Sequence, residues 1–224
     1  MAQLVFVVGP SGMGKSTSGR NLNPETTGII NSDQKALPFR KFSANYNVEK
    51  GNYFNTSSTE EVINAFRTLN KQPEIKSILL DTWSRIMTNA VMDPRFRAEK
   101  GFDKWGKFSA SQYDLINIIN DKMRNDIIVY IMCHPDTTID EIGGTSHRIA
   151  VQGKQLEKFV PESFSSIVLY AEIQKVHGQP NRHIFRTKSN GNDTCKTPID
   201  MFEEDVIDND LVIVDNAIRE YYEI

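Results

Sequence analysis

Residues 9–16, Gly-Pro-Ser-Gly-Met-Gly-Lys-Ser, restrict the folds open to this chain more than any other feature. They fit the phosphate-binding loop pattern of glycine, four residues, then glycine-lysine-serine, directly after the apolar run Leu4 to Val8. Gly9, Gly12 and Gly14 let the backbone curl so that successive N–H groups turn inward on a phosphate. Lys15 can reach the β- and γ-phosphates, and the Ser16 hydroxyl can ligate magnesium. The positive end of a helix expected over Lys15 to Leu22 adds to that field. Gly9, Pro10, Ser11, Gly12, Met13, Gly14, Lys15, Ser16 and Thr17 together form the expected nucleotide cradle, with ATP and magnesium as its implied ligands.

Such a loop needs a strand before it and parallel strands beside it, and the rest of the chain supplies the pattern. Strand-like runs fall at Gly28 to Ser32, Ser77 to Asp81 and Ile127 to Cys133, separated by helical periodicity. Ser58 with Glu61 reads as a capping box before Val62, Ile63, Phe66 and Leu69, and Ser109 with Gln112 repeats that signature before Leu115. Ile167 to Val176 and Arg182 to Thr187 read as strands joined at Gly178-Gln-Pro180, and a last amphipathic helix carries Val214, Ile218 and Tyr221. Pro135 to Gly153 reads as a long mobile loop. The expected fold class is therefore α/β: one domain over residues 1–224, a mostly parallel central sheet flanked by helices, then a C-terminal β-hairpin and a terminal helix.

Composition excludes other classes. Charged residues are 25% and the apolar set 39%, ordinary for a globular chain and not for a disordered or collagen-like one. No apolar run approaches the ~20 residues that span a bilayer, so no membrane partner is expected. The chain opens directly on a strand, and its two cysteines, Cys133 and Cys195, have no metal-ligand spacing. That reads as a mature protein of a reducing cytoplasm. Net charge is −3, but nine acids and one arginine lie after Thr197, leaving 25 bases and 20 acids in the preceding 197 residues. The excess gathers in Arg85 to Lys107 and in Lys175 to Thr197.

A magnesium–nucleotide site needs a second carboxylate at a strand's carboxyl end, and Asp81, closing Ile78-Leu-Leu, supplies it. Hydrolysis also needs a group that orients and deprotonates water. Asp33, just after the second strand, is the candidate, although aspartate there also serves as a turn or cap residue. His134 ends the fourth strand, where it can sense a γ-phosphate or simply bond nearby backbone. Arg95, Arg97, Lys104 and Lys107, interleaved with Trp105 and other aromatics, are candidate contacts to single-stranded DNA, unless those rings belong to the core.

Several segments resemble a known family. Ile30 to Pro38 is similar to the RecA-like pattern in which a strand-end acid serves as catalytic base. Asp81-Thr-Trp83, Lys104-Trp-Gly-Lys-Phe108, Gly153-Lys-Gln-Leu156, Phe164 to Tyr170, Thr194 to Pro198 and Val214 to Tyr222 resemble phage RecA-like P-loop ATPases of the single-strand annealing type. The resemblance implies an ATPase acting with single-stranded DNA in phage recombination in the host cytoplasm. It also implies a homo-oligomer working beside a single-strand binding protein. By position, residues 9–17 would hold nucleotide, Asp81 would support magnesium, and Asp33 would activate water. Arg186 and Lys188, on one face of a strand, would reach a neighbour's nucleotide in trans if that strand lies at the sheet edge, or stand there as solvent-exposed charges that discourage aggregation. Asp33 is one methylene shorter than the glutamate usual in RecA proteins, and no helix precedes the first strand.

Two rival functions fit the same loop. A P-loop kinase would use Asp33 on an acceptor hydroxyl, with Arg148 as its lid arginine. A non-catalytic switch would bind ATP only to change conformation. Strand order separates the ATPase from the kinase: a RecA-like sheet inserts the His134 strand between the loop strand and the Asp81 strand, and a nucleotide-kinase sheet does not.

Overall fold

The computed structural model describes residues 1–139 and 144–224. The chain opens with β1 (Gln3–Val8), the phosphate loop, a 3-10 segment (Ser16–Asn21) and β2 (Thr27–Asn31). A helical turn α1 (Phe42–Asn45) and a two-residue β3 (Tyr53–Phe54) lead to α2 (Thr59–Asn70) and β4 (Ser77–Asp81). Then come α3 (Trp83–Met92), α4 (Pro94–Ala98), the long α5 (Asp103–Lys122) and β5 (Ile128–Cys133). β6 (Pro135–Ile139), β7 (Thr145–Ile149), α6 (Lys154–Glu157) and a 3-10 turn (Pro161–Phe164) follow. The chain closes with β8 (Ile167–Gln174), β9 (Arg182–Arg186), β10 (Val206–Asp208) and α7 (Leu211–Tyr222).

Among the described residues, eight strands form one sheet in the order β10-β9-β8-β1-β5-β4-β2-β3. The six strands from β8 to β3 run parallel, while β9 and β10 run antiparallel to their neighbours. β5 thus lies between the loop strand β1 and the Asp81 strand β4, the RecA-like order. Burial on both faces explains the unbroken apolar runs of β1 and β5. Alternate residues face opposite layers. Phe6, Ile78 and Ile131 pack with Phe66 of α2 and Ile119 of α5, whereas Val7, Leu79 and Met132 pack with Val214 and Ile218 of α7. No described helix is long and apolar enough to cross a membrane.

Ser58 does cap α2, its hydroxyl accepting from the Glu61 N–H. Three expectations are corrected. The segment after the loop is a six-residue 3-10 helix, not a helix over Lys15 to Leu22. Ser-Thr-Ser-Gly is a poor helix former, and the Ser18 hydroxyl takes the Lys15 carbonyl at 2.5 Å. Ser109 and Gln112 do not start a helix; both are buried inside α5. Gln112 accepts from Trp83 Nε1 at 2.9 Å and donates to Thr59 at 3.0 Å, tying α5 to α3 and α2. Finally, Pro135 to Gly153 is not a plain loop, since β6 and β7 pair antiparallel from Pro135–Ile149 to Ile139–Thr145. Its strands hold one isoleucine each, Ile139 and core-packed Ile149, both at a strand end, so no apolar alternation announces them; residues 140–143 of that stretch lie outside the described residues.

Candidate active site

Register aligns the carboxyl ends of the parallel strands. Val8 lies opposite Cys133, Leu80 opposite Ile131, and Asn31 opposite Asp81. Gly9, His134, Asp81 and Asp33 therefore leave the sheet at one edge. Gly9 is required there because a Cβ would stand 2.7 Å from the Ala171 carbonyl oxygen of β8. Gly12 and Gly14 adopt φ of +84° and +88°, which an L side chain rarely tolerates. The loop turns Lys15 back on itself: Nζ donates to the Gly9 carbonyl at 2.5 Å and the Pro10 carbonyl at 2.9 Å. Burial lowers the pKa of this amine, opposed by the charge of Asp81.

Asp81 is fully buried, and neither carboxylate oxygen has a well-formed hydrogen bond among the described residues. Burial pushes its pKa up, opposed by the nearby Ser16 hydroxyl and by Lys35 and Lys15. A buried carboxylate with no donor near it but the Ser16 hydroxyl has room for a cation, and the oxygens of Asp81 and Ser16 suit magnesium, which prefers oxygen ligands.

Asp33 is held in place. Its Oδ2 accepts from Lys35 Nζ at 2.5 Å, and its Oδ1 accepts from Thr82 Oγ1 at 3.1 Å. The backbone N–H groups of Ser32 and Asp33 both donate to the Asp81 carbonyl, which locks this turn onto β4. His134 sits half-buried between the loop and Asp33, its backbone N–H donating to Ser84 Oγ at 2.9 Å. Burial and the Lys15 charge lower its pKa, so the imidazole is largely neutral at pH 7.

A cleft of about 700 Å3 has Ser11, Gly12 and Gly14 to Thr17 on one side and Asp33, Lys35, Thr82 and His134 on another. His183, Asp208, Asn209 and Asp210 close the third side. Sequence patterns alone single out none of these last four, nor Lys35 and Thr82. Lys35 and Thr82 each lie within two residues of a candidate acid, which is a usable signal. Asp210 is readable as the N-cap of α7, but nothing local announces that β9 and β10 bring His183 and Asn209 to the loop.

The remaining candidates lie elsewhere. β9 is not an edge strand, since β10 covers it, and Lys188 falls beyond its end. Arg186 is only 11% exposed and pairs with Glu172 and with fully buried Asp193, over the Tyr170 ring. Lys188 pairs with Asp205 at 2.6 Å. This corrects the expectation of two free cations. Around α4, Arg95, Arg97 and Lys107 are exposed, Arg95 pairing with Asp93 and Lys107 with Glu99. Lys104 donates to the Phe96 and Glu99 carbonyls. Trp105 is not an open stacking platform: it meets Phe96 and Phe108 edge-on and lies against Gly153. Phe102, 89% exposed, is the open ring of that stretch. Arg148 pairs with Asp136 across β6 and β7.

No protein-family model matches the sequence, and no curated protein matches it. Among solved structures the chain is similar to the flagellar accessory protein FlaH from Methanocaldococcus jannaschii, with 11% identity over 92% of this chain and 83% of that one, at a TM-score of 0.49. A likeness of that size assigns nothing to this site, and the fold reading rests on the strand order itself.

Proposed function

We propose that this chain is a magnesium-dependent ATPase that acts with single-stranded DNA in phage recombination, as a homo-oligomer beside a single-strand binding protein. The observation that carries the ATPase half is the insertion of β5 between β1 and β4, which puts His134 between the phosphate loop and the Asp33–Thr82 pair. That order disfavours the kinase reading. Under the proposal, Asp33 takes a proton from the attacking water while Thr82 and Lys35 fix its orientation. Lys15 exchanges the Gly9 and Pro10 carbonyls for phosphate oxygens, and neutral His134 offers a hydrogen bond beside the terminal phosphate. Magnesium, when bound, supplies positive charge against phosphate oxygens, and Ser16 and Asp81 would hold it. The DNA half draws on the family resemblance and on the exposed cations Arg95, Arg97 and Lys107.

The test is ATP turnover with and without single-stranded DNA, with labelled phosphate followed to any acceptor. Release as inorganic phosphate, accelerated by DNA, is the expected result. Label on a nucleotide or polynucleotide end would restore the kinase, and tight binding without turnover would leave a switch.

A further inference from the structure

A second cavity, of about 390 Å3, lies beyond Asp33, over the first turns of α3. Asp33, Lys35, Thr82 and His134 line both cavities and so form the wall between them. Ser84, Arg85 and Thr88 line only the far one. We propose that this far cavity is an oxyanion site for inorganic phosphate, held by Arg85 and Ser84 and filled from the nucleotide cleft after hydrolysis.

Charge balance carries the argument. Asp33 is matched by Lys35 at 2.5 Å, so that pair contributes little net field. Arg85 has no such match: it is exposed, and its guanidinium makes no hydrogen bond or ion pair among the described residues; the pKa of neighbouring Lys35 is raised, chiefly by its bond to Asp33, with the Arg85 charge opposing. His134 adds a largely neutral ring. Among the residues that line the cavity, Arg85 is therefore the charge without a partner, and its planar fork suits a tetrahedral oxyanion. Hydrogen-bond accounting agrees. Ser84 Oγ already accepts from the His134 backbone N–H at 2.9 Å, which leaves its own proton to donate. Thr88 spends its proton on the Ser84 carbonyl at 2.9 Å and serves as wall. Arg85 and Ser84 thus offer spare donors on the α3 side of the cavity, across from the Asp33 that Lys35 already neutralises.

The ligand's origin rests on the ATPase reading, but its binding chemistry does not. The first arm therefore uses no turnover: inorganic phosphate is titrated into the ADP-loaded protein and followed by phosphorus NMR. Saturable binding is expected, weakened at least about tenfold in Arg85→Ala and Arg85→Gln and largely retained in Arg85→Lys, with ADP affinity unchanged throughout. The second arm compares quenched single-turnover hydrolysis with phosphate release. Release should lag hydrolysis in the natural protein, and the lag should shorten in Arg85→Gln. Binding without a lag would keep the oxyanion site but make solution phosphate its source. No binding, or equal binding in both neutral variants, would overturn the site whether or not ATP is hydrolysed.

Discussion

The nucleotide cleft and the basic stretches beside it treat charge in opposite ways. At and just beneath the cleft, buried polar groups lack partners: both oxygens of Asp81, behind Ser16 and Lys15, and the side-chain nitrogen of Asn209 are without well-formed bonds among the described residues, and Lys15 binds only loop carbonyls. In the stretch around β9, cations are matched by acids from distant segments, Arg182 with Asp208, Arg186 with Asp193 and Glu172, and Lys188 with Asp205. An unsatisfied buried group costs roughly 1–3 kcal/mol, so several converging on one cleft mark a place where a ligand completes the bonding. Isolated orphans such as Ser109 and Thr27 show that one alone means little. A run of like charge in sequence, by contrast, says nothing about which charges remain free after folding.

The contrast can be broken at either end. Lys15→Ala should lower ATP turnover by about 10²-fold or more while leaving thermal stability intact, because the amine serves phosphates and not packing. A stability loss of similar weight would make Lys15 structural. Arg186→Ala should do the reverse. It strands the fully buried Asp193, and urea unfolding should show a loss of about 3 kcal/mol. A variant of normal stability would free Arg186 for a role in trans.

Asp81→Asn should stabilise the nucleotide-free protein by about 1 kcal/mol and raise the magnesium needed for turnover. The pH dependence has a definite sign. The folded state raises this carboxyl's pKa and so holds its proton more tightly than the unfolded chain does. Stability therefore falls as pH rises from the ordinary carboxylate range through the folded pKa, and Asp81→Asn should flatten that fall in pH-dependent melting curves. The smallest effect concerns DNA. Neutralising Arg95, Arg97 and Lys107 should shrink the negative slope of log affinity against log salt by about 0.7 for each DNA phosphate that is no longer neutralised. An unchanged slope would remove this face from the DNA path.

The phosphate loop and Asp81 were legible because their chemistry is local: each follows a buried strand within a few residues. Strand order was not legible, since nothing in Ile128 to Cys133 states which strands it will join. The ribbon of β6 and β7 was hidden because each strand holds a single isoleucine, at its end, among polar residues. Ser109 and Gln112 mimicked a cap because side-chain spacing cannot show that Gln112 spends its amide on Trp83 and Thr59. Arg186 was misjudged for the same physical reason. Its partners Glu172 and Asp193 sit on separate segments and meet it only across the β8–β9 register and the following turn. Asn209 was invisible until β10 brought it against Gly14.

The most direct measurement is single-turnover ATP hydrolysis by Asp33→Asn, with ATP binding measured on the same preparation. Asparagine keeps the size of the side chain and its contact with Thr82 but cannot take the proton. The expected result is retained ATP binding with hydrolysis slowed by about 10²-fold or more, the usual scale of general-base loss. Hydrolysis at the unaltered rate would contradict the assignment of Asp33 and, with it, the proposed division of labour across the cleft.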